Sequence, residues 1–146
     1  MSIAVTSIWW LTLATICFCV CWRDLKSRIV TNTSVIFLGC VLLTSKIVHG
    51  SELYFVNSLL LLLLGMLLWK LGLFGAGDVK LASAFALSID PEYLLLFLVI
   101  MLILGGIEAL LYLLIKKLKP TRIVHDGLPF AIPIVLSGVF SVGASI

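Results

Sequence analysis

Gly72-Leu73-Phe74-Gly75-Ala76-Gly77-Asp78-Val79-Lys80-Leu81-Ala82-Ser83-Ala84-Phe85-Ala86-Leu87-Ser88-Ile89 is the stretch whose reading decides the fold. Its apolar part, Val79 to Ile89, is a helix of eleven residues. At about 1.5 Å per residue it reaches roughly 16 Å, about half the hydrocarbon thickness of a bilayer. It either crosses inside a bundle or dips in and returns. Ala82, Ser83, Ala84, Ala86 and Ser88 make it rich in small side chains. Such side chains let helices approach closely in lipid, which suits a helix enclosed by others. The glycine-rich approach from Gly72 to Gly77 is irregular backbone near membrane depth. Backbone of that kind is tolerated only where protein or a water-filled cavity surrounds it.

The rest of the chain sets the context. It has 146 residues, 62% hydrophobic and 12% charged, with a net charge of +3 and a mean hydropathy of +1.28. Ordinary soluble domains are about 45–50% apolar and about 25% charged. A soluble fold of this size buries only about two-thirds of its unfolded surface, too little to hide this composition. The chain reads as an all-α polytopic membrane protein. A nucleotide-binding domain, a large soluble catalytic domain, a secreted disulfide scaffold and nucleic-acid binding are excluded.

Charges cut the chain into six apolar blocks, predicted as spans over about 3–22, 33–48, 53–73, 78–90, 93–115 and 128–146, in a single domain covering 1–146. The first block lacks the basic n-region and cleavage site of a signal peptide. Lysine and arginine decide whether the fourth block crosses. If it does, Arg23, Lys26, Arg28, Lys70, Lys80, Lys116, Lys117, Lys119 and Arg122 share one side, and only Lys46 lies on the other. If it does not, the ten basic residues split five against five. The positive-inside rule selects six spans, both termini outside and three basic cytoplasmic loops. Lys46 is then expected to snorkel to the headgroups, and Glu52, Asp90 and Glu92 to mark the outer loops. Trp9, Trp10, Trp22 and Trp69 read as interface anchors.

Intramembrane acids are costly and usually functional. Asp24 ends the first span and Asp78 opens the fourth, so both face the cytoplasmic side at similar depth. Two neighbouring carboxyls do not both ionise easily; one keeps a proton while the other activates a water. Gly75 and Gly77 lack Cβ atoms, so a substrate backbone can approach the carboxyl. The structural alternative for Asp78 is a helix N-cap. For Asp24 it is a flanking charge paired with Arg23 or Arg28.

Phe74 to Leu81 resembles the GxGD signature of intramembrane aspartic proteases, and Asp78-Val79-Lys80 narrows the likeness to type IV prepilin peptidases. Asp24-Leu25-Lys26-Ser27-Arg28-Ile29-Val30-Thr31-Asn32 is similar to that family's first-aspartate segment, with Val30-Thr31-Asn32 where the family has Ile-Pro-Asn. Pro129-Phe130-Ala131-Ile132-Pro133-Ile134 loosely resembles the stretch that opens the last helix of short members. The resemblance implies catalytic Asp24 and Asp78. It implies a multi-pass protein of a bacterial or archaeal-like cytoplasmic membrane. Its partners would be the lipid bilayer and a prepilin or pseudopilin, whose basic leader it cleaves at the cytoplasmic face. Longer members carry Cys-x-x-Cys zinc motifs and also methylate the product. This chain has no Cys-x-x-Cys, so the short, peptidase-only form is expected, without methyltransferase activity.

Lys80 reads as a substrate or electrostatic contact, or equally as a positive-inside lysine. Asn32 either caps the second helix or binds substrate backbone. Glu108 is a candidate substrate contact, or a buried structural acid beside Gly105 and Gly106. His125 and Asp126 read as loop residues. Cys17 and Cys21 share a helix face and Cys19 does not; with His49 and His125 placed in loops, no metal site and no cofactor are expected. There is no His-Glu-x-x-His for zinc, and no histidine in a span for a Ser–His dyad. A presenilin-like protease shares the chemistry but not the Asp-Val-Lys context. The alternative of another class is a non-catalytic membrane component, such as a small transporter or assembly subunit, using Asp24, Asp78 and Glu108 as an ion path.

Overall fold

The computed structural model describes residues 3–49, 52–118 and 128–146. Six helices and no strand occur among them: α1 (Ile3–Ser27), α2 (Asn32–His49), α3 (Phe55–Lys70), α4 (Ala76–Ala86), α5 (Pro91–Leu118) and α6 (Ala131–Ala144). Lys119, Arg122, His125 and Asp126 lie outside the described residues.

The helix ends follow local chemistry more closely than the apolar blocks do. α1 runs five residues past Trp22, because Arg23 to Lys26 are acceptable helix formers; Asp24 therefore sits in its last turns. The helix stops at Arg28, in the left-handed region with φ 55°, the usual conformation just past a helix end. Thr31 opens α2. Its Oγ1 accepts from Ser34 N–H at 3.4 Å and its carbonyl from Val35 N–H at 3.2 Å. α2 runs through His49, so that residue ends a helix rather than lying in a loop. α3 closes in a Schellman motif: Gly72 N–H donates to Trp69 O at 2.9 Å and Leu73 N–H to Leu68 O at 3.0 Å. The motif needs a left-handed residue at Gly72, which has φ 74°. α5 starts on Pro91, whose missing N–H costs nothing at a first helical position. In α6, Pro133 lies in the first turn and Pro129 before the helix.

α4 is the central element. It packs against α2, α3 and α6, while α1 packs on α2 and α6, and α5 on α6. Six of its eleven residues are buried: Val79, Leu81, Ala82, Ser83, Phe85 and Ala86. Leu81, Ala82 and Phe85 join Leu13 and Val20 of α1, Leu38 and Leu42 of α2, and Ile134 and Val142 of α6 in one apolar cluster. Close approach depends on glycine at two contacts. A Cβ on Gly138 would lie 2.5 Å from the Phe85 ring, and one on Gly65 would lie 2.5 Å from Val79 Cγ1.

The outside of the fold is apolar. α3 has no buried residue at all, and Leu59, Leu60, Leu63, Leu64 and Leu67 are exposed along it. α1 and α5 are long and apolar enough to cross a membrane, and only 17% of each apolar window is buried. They are thus not buried core helices, and apolar surface on this scale suits a membrane protein.

One sequence expectation changes at the end of the bundle that holds the C-termini of α2, α4 and α6. Lys46 does not snorkel. It is 1% exposed, and its Nζ pairs with Asp90 Oδ1 at 2.8 Å over the Tyr54 ring. Asp90 N–H donates to Ser145 Oγ at 3.1 Å. Tyr54 N–H donates to Leu87 O at 3.2 Å. Asp90 is therefore a cross-brace between α2, the α4–α5 corner and α6. Trp9 and Trp10 are half-buried against the core, with Trp9 Nε1 donating to Val41 O at 2.8 Å; Trp22 and Trp69 are exposed.

Candidate active site

The site forms at the opposite end, where α1, α3 and α5 finish and α2, α4 and α6 begin. A cavity of about 610 Å³ opens there. Asp24, Arg28, Ile29 and Val30 line it from the end of α1. Gly72 to Asp78 line it from the turn into α4, and Leu128 and Phe130 from the approach to α6. Asp24 and Asp78, 54 positions apart by their residue numbers, thus face one space.

Each carboxyl is placed by a helix N-terminus. Asp24 is 5% exposed, and its Oδ2 accepts from the backbone N–H of Ala131, the first residue of α6, at 3.2 Å. That N–H has no partner within its own helix, so the carboxylate satisfies it and meets the positive end of the helix dipole. Asp78 is not the N-cap of α4. Gly75 is, with extended φ −76° and ψ 141°, and Val79 N–H donates to its carbonyl at 3.1 Å. Asp78 falls in the first turn, with its carboxyl folded back over Gly75. A Cβ there would lie 2.6 Å from Asp78 Oδ2. Gly75 thus gives room to the protein's own carboxyl.

Gly77 has a different task. A Cβ on it would lie 2.9 Å from Val30 Cβ, so this glycine lets the start of α4 press on the chain between α1 and α2. Just beyond, Lys80 Nζ donates to Asn32 Oδ1 at 2.9 Å. The two segments that carry the aspartates are therefore joined directly. Neither Lys80 nor Asn32 lines the cavity, and capping of α2 falls to Thr31.

The cavity wall includes an aromatic corner. The Phe74 and Phe130 rings meet edge to face, centroids 5.1 Å apart, and Phe130 packs over Gly105 of α5. Glu108, one turn further along α5, is half-buried, and its Oε2 is sealed without a hydrogen-bond partner. It does not line the cavity but lies within electrostatic reach of Asp24, Asp78 and Arg28. Arg28 and the Phe130–Ala131 corner fall inside the quoted motifs, but nothing in the motifs assigns them to this wall. One basic residue among the three after an apolar helix looks like any topology charge, and a backbone N–H leaves no trace in residue type.

Cys17 is buried, Cys21 half-buried, and Cys19 and Cys40 exposed; all four are free. Among the described residues no cluster of histidine, cysteine and acid has metal-site geometry.

The chain matches the model of the type IV leader peptidase family over residues 11–110. That span takes in Asp24, Asp78, Glu108, the whole of α2, α3 and α4 and most of α1 and α5, and the chain belongs to this family. It is accordingly a hydrolase of the aspartic, prepilin peptidase kind, from a family whose substrates are prepilins. No curated protein and no solved structure matches it.

Proposed function

We propose that this chain is a membrane-embedded aspartyl endopeptidase, with Asp24 and Asp78 as its catalytic pair. The observation that carries the reading is that both carboxyls line the same cavity. In this mechanism the pair shares one proton and holds a water. The ionised carboxyl removes a proton from the water as its oxygen attacks the scissile carbonyl. The protonated carboxyl hydrogen-bonds the developing oxyanion. Collapse of the tetrahedral intermediate breaks the C–N bond, and the amine leaves with the proton taken from the water.

The bundle crosses six times, with both termini outside and the cavity at the cytoplasmic face. The bias of nine basic residues out of ten supports this orientation, as does the neutralisation of Lys46, the one at the far end, by Asp90. α4 can be short because α2, α3 and α6 surround it. A cavity at the cytoplasmic boundary fits the place where the basic leader of a prepilin or pseudopilin meets its apolar helix. Gly75 and Gly77 shape the approach, Lys80 and Asn32 hold the two motifs together, and Glu108 offers a negative group near the entering leader. Without a Cys-x-x-Cys segment, the activity is cleavage alone.

Co-expression with a prepilin tests the reading. Wild type should shorten the substrate on a gel, while Asp24→Asn and Asp78→Asn should each leave it full length and still insert in the membrane. Cleavage by either variant would point to the non-catalytic alternative. Methyl transfer to the product by the purified protein would overturn the peptidase-only part.

A further inference from the structure

Arg28 ends α1 with a left-handed φ of 55°, a position that glycine takes freely, and it has two properties that a topology charge does not need. Its side chain lines the cavity beside both aspartates. Its Nε and Nη1 are shut off from water and have no hydrogen-bond partner. A guanidinium normally uses its planar fork of donors on oxygen acceptors, and leaving two of them unmet is costly. The acids around it do not meet that need. Asp24 and Glu108 are within electrostatic reach, but Asp24 Oδ2 is engaged by Ala131 N–H. The only ion pair among the described residues is Lys46–Asp90, at the other end.

We infer that Arg28 is a substrate-binding residue, whose guanidinium turns into the Asp24–Asp78 cavity when a peptide enters and there donates its unmet hydrogen bonds to the peptide's backbone carbonyl oxygens. A peptide segment between a basic leader and an apolar helix offers few side-chain acceptors. Its carbonyls are the oxygens that always accompany it. This inference rests on the peptidase reading for the identity of the ligand, but its test does not require turnover.

The probe is a fluorescent synthetic peptide with a lysine-rich leader, a glycine and the first apolar residues of a helix, containing no aspartate or glutamate. Its affinity is measured for the Asp78→Asn protein in detergent, with and without changes at Arg28. Arg28→Gln should weaken binding at least about tenfold, the usual loss of a charged hydrogen bond, and Arg28→Lys less. Arg28→Gly is the decisive variant. It relieves the left-handed φ, so its melting temperature should hold or rise, while binding falls as in Arg28→Gln. In cleavage by otherwise wild-type protein, the same changes should raise KM with little effect on kcat.

Unchanged peptide affinity in Arg28→Gly would overturn the inference, and so would absence of any binding to the Asp78→Asn protein. Recovery of affinity in Arg28→Gln/Glu108→Gln would also overturn it, because Arg28 would then serve only to neutralise Glu108. A fall confined to kcat would place Arg28 with the reacting carboxyls instead of the peptide. If wild type binds the peptide through Arg28 yet cuts no prepilin, the peptidase reading fails and the binding site stands.

Discussion

Lys80 donates to Asn32 across 2.9 Å, so the helix that carries Asp78 is tied to the helix that follows Asp24. The contact is exposed and single, which limits its energy. Asn32→Ala and Lys80→Met should each cost about 0.5–1.5 kcal/mol of stability, and the double variant should cost no more than the larger single one. Unfolding in detergent measures that coupling. Cleavage should fall in both single variants by a similar factor, because each frees the same start of α4.

The paired glycines before Asp78 should fail for different reasons. In Gly75→Ala the new methyl meets the Asp78 carboxyl at 2.6 Å, so the carboxyl must turn away and cleavage should drop steeply. Nothing smaller than the carboxyl itself can relieve it. In Gly77→Ala the methyl meets Val30 at 2.9 Å, a side chain that can be trimmed. Val30→Ala added to Gly77→Ala should recover a measurable part of both stability and cleavage. Lack of recovery would show that Gly77 is needed for more than this contact.

At the other end, Lys46 is 1% exposed and Asp90 32%, so their removal should be asymmetric. Asp90→Asn leaves a buried ammonium without its charge partner and should cost about 3–5 kcal/mol, the range for breaking a buried pair. Lys46→Met leaves an acid that water can partly reach, so it should cost less. The double variant should be more stable than Asp90→Asn alone. Thermal unfolding ranks the three, and any protein that remains folded should cleave normally, since this pair is remote from the cavity.

That pair also shows where sequence reading stops. The helices, their number and the glycine-aspartate turn are legible because apolar runs, charges and turn glycines are local signals. So are the segments around Asp24 and Asp78, by resemblance. Lys46 was legible only as a lysine near a helix end, for which snorkelling is the ordinary outcome. Its partner lies 44 residues away, and only the packing of α2 against α4 brings the two together. The Ala131 N–H that holds Asp24 is hidden for the same reason. Thr31 was locally readable as a cap, but the asparagine beside it drew that role. Neither Arg28's backbone conformation nor its unmet donors follow from residue type.

Gly105 and Gly106 are adjacent in α5 and should respond in opposite ways. In an apolar helix each glycine weakens the backbone by about 1 kcal/mol relative to alanine. A Cβ on Gly106 meets nothing within 4 Å, so Gly106→Ala should be neutral or stabilising by up to about 1 kcal/mol. A Cβ on Gly105 would run into the Phe130 ring. That ring packs edge to face on Phe74 and immediately precedes Ala131, whose N–H holds Asp24. Gly105→Ala should therefore cost about 1–3 kcal/mol as an overpacked contact and also lower cleavage by disturbing the Asp24 wall. Truncating the ring in Gly105→Ala/Phe130→Leu should return stability toward wild type. Comparable behaviour of the two single alanine variants, in unfolding and in cleavage, would mean that Phe130 does not bear on α5 as described.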